Sequence, residues 1–295
     1  MAAETNLIKK ADLARAREVE FVTLFDEQVT KLTEMLGISR MIAKEAGTTL
    51  KAYKANGQLV NDGVVDEGDT IPLSKYKVDP VPFDDITLRK WRKATSAEAI
   101  ISGGYDQAVT MTTDKMLKDV QKAVRTQFIN FLSTATGRTA NVKGNGVQEA
   151  LANTWAKLQV LFEDDAVSMV HFMHPNDVAS YLAKANITVQ NAFGMQYVQD
   201  FMGLGTVITT GLVTEGKILS TVQDNLVCYY VPANGADMNE AFEFTTDTTG
   251  LVGIHEVPDY TNMTASDTVV SGLTVFAERV DGIVETTITD GNEGA

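Results

Sequence analysis

The sequence predicts an α+β fold, built as one elaborate domain or as two intimately joined ones. Three observations carry that expectation. The chain has 295 residues, near the upper limit for a single hydrophobic core. Its apolar content of 44% and charged content of 22% sit at globular averages, which excludes collagen-like, disulfide-scaffold and disordered classes. Long helical periodicities fall in the first half, while short β-branched runs crowd the second.

Taken in chain order, Val22, Phe25, Val29, Leu32 and Leu36 recur at three- and four-residue steps, and Gly37 stands where a helix C-cap belongs. The flanks carry Arg15, Arg17, Glu18, Glu20, Asp26, Glu27 and Lys31, which suits this amphipathic helix to a surface as well as to a core. Residues 38–55 have strand character. Turn signals then crowd together at Asn56-Gly57, Asn61-Asp62-Gly63 and Asp66-Glu67-Gly68-Asp69, a density that does not fit a compact core. With Ile71, Leu73, Tyr76 and Val78 following, and Pro80 and Pro82 confining the returning arm to an edge, the spacing predicts a projecting hairpin over 56–82.

The strongest helix covers 107–136, with Val109, Met116, Val120, Val124 and Phe128 on one face; thirty residues span roughly 45 Å. Gly137 to Gly146 reads as a connection. Beyond it come a helix over 147–162, a buried strand over 166–172 and a helix opened by Pro175 and running through Leu182. Strand-like runs follow at 206–210, 217–221, 226–231 and 242–246, and 268–289 reads as one or two long strands broken near Gly282. No internal repeat and no run of 18 apolar residues is present, so neither a solenoid nor a membrane-spanning helix is expected. The N-terminus lacks the order of a signal peptide.

The net charge of −14 disfavours sequence-independent attraction to nucleic acid or an anionic membrane. It is unevenly spread: residues 1–150 hold 21 Lys/Arg against 20 Asp/Glu, whereas residues 151–295 hold 4 against 19. Such separation points to a partner of opposite sign, and another copy of the chain qualifies. The dense basic feature, Arg89-Lys-Trp-Arg-Lys93, fits an alternating strand with an ion-pairing surface better than a base-stacking platform.

Motifs for chemistry are sparse. His171 and His174 have ligand-type spacing but point to opposite faces of a strand, so no metal site is expected. His255 reads as a partly buried structural residue. Asp84-Asp85 and Asp164-Asp165 read as solvated pairs, and the lone Cys228 as a buried small hydrophobe in a chain made in a reducing cytosol. The glycines of 143–149 and 202–206 lack the features of phosphate loops, and no nucleophile motif appears. No cofactor is implied.

The ordering resembles the major capsid proteins of tailed bacteriophages. The resemblance runs from about residue 10 to residue 290, on an N-terminal helix, a turn-rich hairpin with Glu67-Gly-Asp-Thr-Ile-Pro72, and Arg92-Lys-Ala-Thr-Ser-Ala-Glu-Ala-Ile100 leading into a long helix. Met173-His-Pro-Asn-Asp-Val-Ala-Ser-Tyr-Leu182, the glycine-spaced segment 203–216 and a closing strand complete it. It implies an N-terminal arm (1–37) and a peripheral subdomain (38–139) with an extended loop (56–82) and a spine helix (107–136). An axial subdomain (140–255) and a return to peripheral strands (256–295) follow.

A structural, non-enzymatic shell protein is implied, self-assembling into pentamers and hexamers of an icosahedral head around double-stranded DNA in a bacterial host's cytoplasm. A scaffolding segment has no room before the arm, which suggests either a separate scaffolding protein or a sequence that starts at the mature end; a portal and decoration proteins are further implied partners. Inter-subunit contacts are expected at Val22, Phe25 and Val29 of the arm, at Lys75, Tyr76 and Lys77 of the loop, and at Arg89, Lys90, Arg92 and Lys93, which would meet a neighbour's acidic half. Some relatives cross-link the loop to a neighbour, for which Lys75 or Lys77 would be the donor. Two rivals stand beside this reading: an encapsulin-type nanocompartment of the same fold, and a soluble enzyme using His171, His174 and Asp177.

Overall fold

A computed structural model describes residues 10–38, 40–60, 64–66, 68, 70–162, 168–182 and 189–289. The Asn61-Asp62-Gly63 turn, Glu67, Asp69, the Asp164-Asp165 pair and both ends of the chain lie outside them.

The chain opens with helix α1 (Lys10–Leu36), strand β1 (Met41–Ala43) and an antiparallel ribbon of β2 (Thr49–Gly57) with β3 (Tyr76–Asp85). Strand β4 (Arg89–Ser96) leads into the short helix α2 (Ala97–Gly103), whose N-cap Ser96 accepts from the Ala99 amide, and then through one π turn into helix α3 (Met111–Thr134). After β5 (Thr139–Asn145) come α4 (Gly146–Leu161), β6 (Met169–Met173) and α5 (Pro175–Leu182). Strands β7 (Gln190–Ala192), β8 (Met195–Val198), β9 (Thr206–Thr209), β10 (Lys217–Val222) and β11 (Leu226–Tyr230) follow. Helix α6 (Ala236–Ala241) precedes β12 (Thr245–Thr246), β13 (Val252–Asp259), β14 (Thr264–Ser271), β15 (Thr274–Ala277) and β16 (Val284–Thr289).

These strands form four sheets. A mixed seven-stranded sheet runs β5-β16-β10-β6-β9-β8-β7, an antiparallel sheet runs β12-β13-β14-β4, β1-β11-β15 is three-stranded, and β2-β3 stands by itself. The period of two along the seven-stranded sheet divides the core. Phe172, Ile208 and Leu219 face the main core, with the apolar stripes of α1 and α3; Met173, Val207 and Ile218 face a second core with Val147, Ala150 and Leu151 of α4. Phe128 of α3 meets Phe172 edge to face at 5.4 Å, and Phe25 of α1 meets Phe193 at 6.2 Å.

Gly37 ends α1 as its position predicts. Its φ of +66° admits glycine readily, and a Cβ there would overlap the Gln223 side chain.

The closing stretch departs from the sequence reading. Residues 268–289 are spread over β14, β15 and β16, which belong to three different sheets. The chain breaks at Gly272, where a Cβ would collide with Val231, as well as near Gly282. Strand β16 does not return to the peripheral strands: it lies between β5, in parallel, and β10, antiparallel. Conversely β12 and β13, assigned by sequence in large part to an axial unit, pair in the sheet that holds β4.

Candidate assembly surfaces

The β2-β3 ribbon is rooted in the core, and the described apolar residues beyond its base are exposed. Leu50 and Ile86 are buried at its base, where the Gly47 amide donates to the Ile86 carbonyl (2.8 Å) and the Ile86 amide to the Thr48 carbonyl (2.9 Å). Nine residues of strand reach about 30 Å. Beyond the base, Leu59, Val60, Val64, Ile71, Leu73, Tyr76 and Val78 are all exposed, Leu73 by 94%. Lys75 and Lys77 are exposed among them, Lys77 paired with Asp79 at 2.5 Å. Pro80 and Pro82 oppose Tyr53 and Lys51 in register, tolerable because both strands of a two-stranded ribbon are edges. An isolated ribbon is marginal in water, so its apolar side chains have uncollected burial energy.

The contacts expected at Val22, Phe25 and Val29 are corrected by the structure. All three are buried within their own chain, Phe25 completely, because the apolar stripe of α1 lies on β12, β13, β7 and α3. A polar clamp fixes the same helix. Across three strands, Glu256, Asp267 and Lys93 stand directly opposite one another. Two carboxylates side by side repel; Arg17 from α1 pairs with Glu256, and Lys93 pairs with Asp267 at 3.1 Å. Thr113 of α3 donates to Asp267 at 3.0 Å. The buried Glu18 accepts from the Glu256 amide at 2.6 Å and from the Thr245 hydroxyl, with His255 at 3.9 Å. None of these partners is adjacent in sequence, and only the strand register assembles them.

The basic cluster on β4 is divided by the pleat. Lys93 is consumed internally: besides Asp267 it donates to the Val109 carbonyl (3.0 Å) and the Thr112 hydroxyl (2.6 Å). Burial lowers its pKa and the attraction of Asp267 opposes that. It is therefore not available to a neighbour's acidic half. Lys90 and Arg92 point to the exposed face, where Arg92 donates to the Ser266 hydroxyl at 2.9 Å. Arg89 shares the half-buried face with Trp91 and Lys93.

The residues of the enzyme reading do not converge. His171 is fully buried on β6, with Nδ1 2.8 Å from the Ser220 hydroxyl and Nε2 3.2 Å from the Leu204 carbonyl. A carbonyl only accepts, so Nε2 carries a proton; burial pushes the pKa of the ring down to about 4, which keeps it neutral near pH 7. His174, at the start of α5, accepts from the Asn176 amide, and Asp177 accepts from the Gly216 amide at 3.1 Å. Burial raises the Asp177 pKa against that hydrogen bond. Each side chain holds a backbone turn or a strand pair together. Cys228 is buried, its thiol pushed up to about 12 by desolvation. Among the described residues no group of three His, Cys, Asp or Glu is placed to hold a metal ion, and no helix is long and apolar enough to cross a membrane.

This arrangement of long helix, split sheets and ribbon has counterparts among solved structures. The chain is similar to a virus-like particle protein from Pyrococcus furiosus, with TM-score 0.53 and 15% identity over 90% of this chain and 97% of that one. It is similar to the encapsulin complex of Synechococcus elongatus, with TM-score 0.52 and 10% identity over 89% of each chain. A capsid protein of cyanophage A-1(L) matches with TM-score 0.53 and 12% identity, over 88% of this chain and 93% of that one. The fold is therefore the one shared by tailed-phage major capsid proteins and encapsulins. No protein-family model and no curated protein matches the sequence.

Proposed function

We propose that the chain is the major capsid protein of a tailed-phage head, a structural protein that self-assembles through pentamers and hexamers into an icosahedral shell around double-stranded DNA. In this reading it acts in the virion, is assembled in the host cytoplasm, and works with a separate scaffolding protein and a portal. The observation that carries it is the ribbon: in a shell fold, seven exposed apolar side chains are held clear of their own core. Each is worth on the order of 2 kcal/mol once covered, and a neighbouring subunit is the cover that the fold supplies.

A second reading, an encapsulin-type compartment, is supported by an equally good likeness to an encapsulin. The two differ in contents. Electron microscopy of the purified protein is expected to reveal closed megadalton particles, and nuclease digestion before opening them is expected to leave protected double-stranded DNA. Particles holding a protein cargo instead would favour the second reading, and a monomer or dimer under all assembly conditions would overturn both.

A further inference from the structure

Resting on the shell reading, a specific contact between copies follows from unpaired charges. Between β4 and the outer side of α3 lies an open groove of about 440 Å³ lined by Arg89, Asp119, Lys122, Thr126, Gln127 and Asn130. Its one carboxylate is already engaged, since Lys115 pairs with Asp119 one turn away. Arg89 is half-buried and bonded to nothing among the described residues, and its burial without a countercharge lowers its pKa. Lys122, and Lys118 one turn before it on the same side of α3, are likewise unpaired. At the floor, Gln127 Oε1 is buried and has no donor. Left empty, the groove holds a partly desolvated guanidinium and an orphaned acceptor, both costly.

The same chain carries the complement elsewhere. The exposed segment 236–243, helix α6 and the two residues after it, holds Asp237, Glu240 and Glu243 and no cation. None of the three is bonded among the described residues, and Phe242 beside them is 56% exposed. Asp237 and Glu240, three apart on a helix, project to one side. Neither surface lines the other within the subunit. We propose that the 236–243 segment of one copy docks into the Arg89–Lys122 groove of the next, its carboxylates pairing with Arg89 and Lys122. The contact is heterologous, patch to different patch, the kind that generates a ring where the rotation between copies closes. A nucleic-acid backbone is the weaker occupant, because a chain of net charge −14 repels it at long range.

The test is a charge swap. Arg89→Glu with Lys122→Glu is expected to lower the fraction of particles in sedimentation velocity at low salt at least about tenfold. Adding Asp237→Lys and Glu240→Lys is expected to restore it to within about twofold. Thermal unfolding of the unassembled subunit monitors folding, and the milder Arg89→Gln with Lys122→Gln should weaken assembly without charge repulsion. The idea fails if the reversed protein assembles as well as the wild type, if the reciprocal reversal does not rescue it, or if reversal removes bound DNA while leaving assembly intact. Wild-type protein that forms no particles would instead strike the shell reading beneath it.

Discussion

A histidine that resembled a metal ligand in sequence is a sealed structural residue, and its chemistry can be read from two hydrogen bonds. The Leu204 carbonyl fixes a proton on Nε2; burial disfavours a second proton, and in the neutral ring the Ser220 hydroxyl donates to Nδ1. The folded pKa of about 4 lies below the ordinary 6.5. Above pH 6.5 both states are neutral and nothing is lost. As pH falls below 6.5 the unfolded chain takes up the proton first, and stability declines by about 1.4 kcal/mol per unit until the folded pKa is reached. Urea unfolding of the subunit from pH 7.5 to 4.5 should therefore be steeper with pH for the wild type than for His171→Gln; parallel profiles would show the ring is not sealed. The opposite-face argument for His171 and His174 was available from the sequence. The burial was not, because it depends on β10 and the Leu204 loop closing over a residue thirty to fifty positions away.

At the level of elements, periodicity located the long helices closely, missed the short α6 and could not name what the helices pack against. The spacing over 107–136 encloses α3 and all but the first residue of its preceding π turn, and 147–162 matches α4 to one residue at each end. Strand β5 was hidden in a stretch whose Gly144-Asn145-Gly146 signals a loop, since its only partner is β16, parallel and some 140 residues downstream. The same limit explains the reversal between the first helix and the ribbon. Both present apolar residues to an unspecified partner; for α1 the partner is its own core, while the apolar side chains in the far part of the ribbon are exposed. Phe25→Ala is accordingly expected to cost the isolated subunit about 3–5 kcal/mol in urea unfolding, because it empties a site packed against Phe193. Leu73→Asp should leave subunit stability within about 0.5 kcal/mol and sharply reduce the particle fraction. The reverse ranking would mean that the helix, not the ribbon, is the reaching element.

For the whole molecule, the charge asymmetry marks how the chain's two halves interlock. Among the described residues, four ion pairs join a basic residue of the first half to an acidic residue of the second: Arg17–Glu256, Arg40–Glu278, Lys93–Asp267 and Arg138–Glu285. Part of the partner sought outside the molecule is thus the other half of the same chain, which linear charge counts do not distinguish. Strand β16 is the firmest instance. It fills the gap between β5 and β10, and its Glu285 is held by Arg138 (2.7 Å) and Lys217 (2.7 Å); burial opposes the charge, yet those two cations hold the carboxyl below its usual range. Without β16 the seven-stranded sheet splits, leaving β5 detached and β10 with an open edge, and without α3 its Phe172, Ile208 and Leu219 face water. A fragment of residues 139–225, which holds β5 to β10 without β16, should therefore not unfold cooperatively. Adding a peptide of residues 280–289 should increase its protection from hydrogen exchange along β5 and β10, because pairing restores both edges, while the α3-facing side stays unprotected. A fragment that melts cooperatively with no peptide would show that the axial sheet is an independent unit and that the interlock adds nothing to its stability.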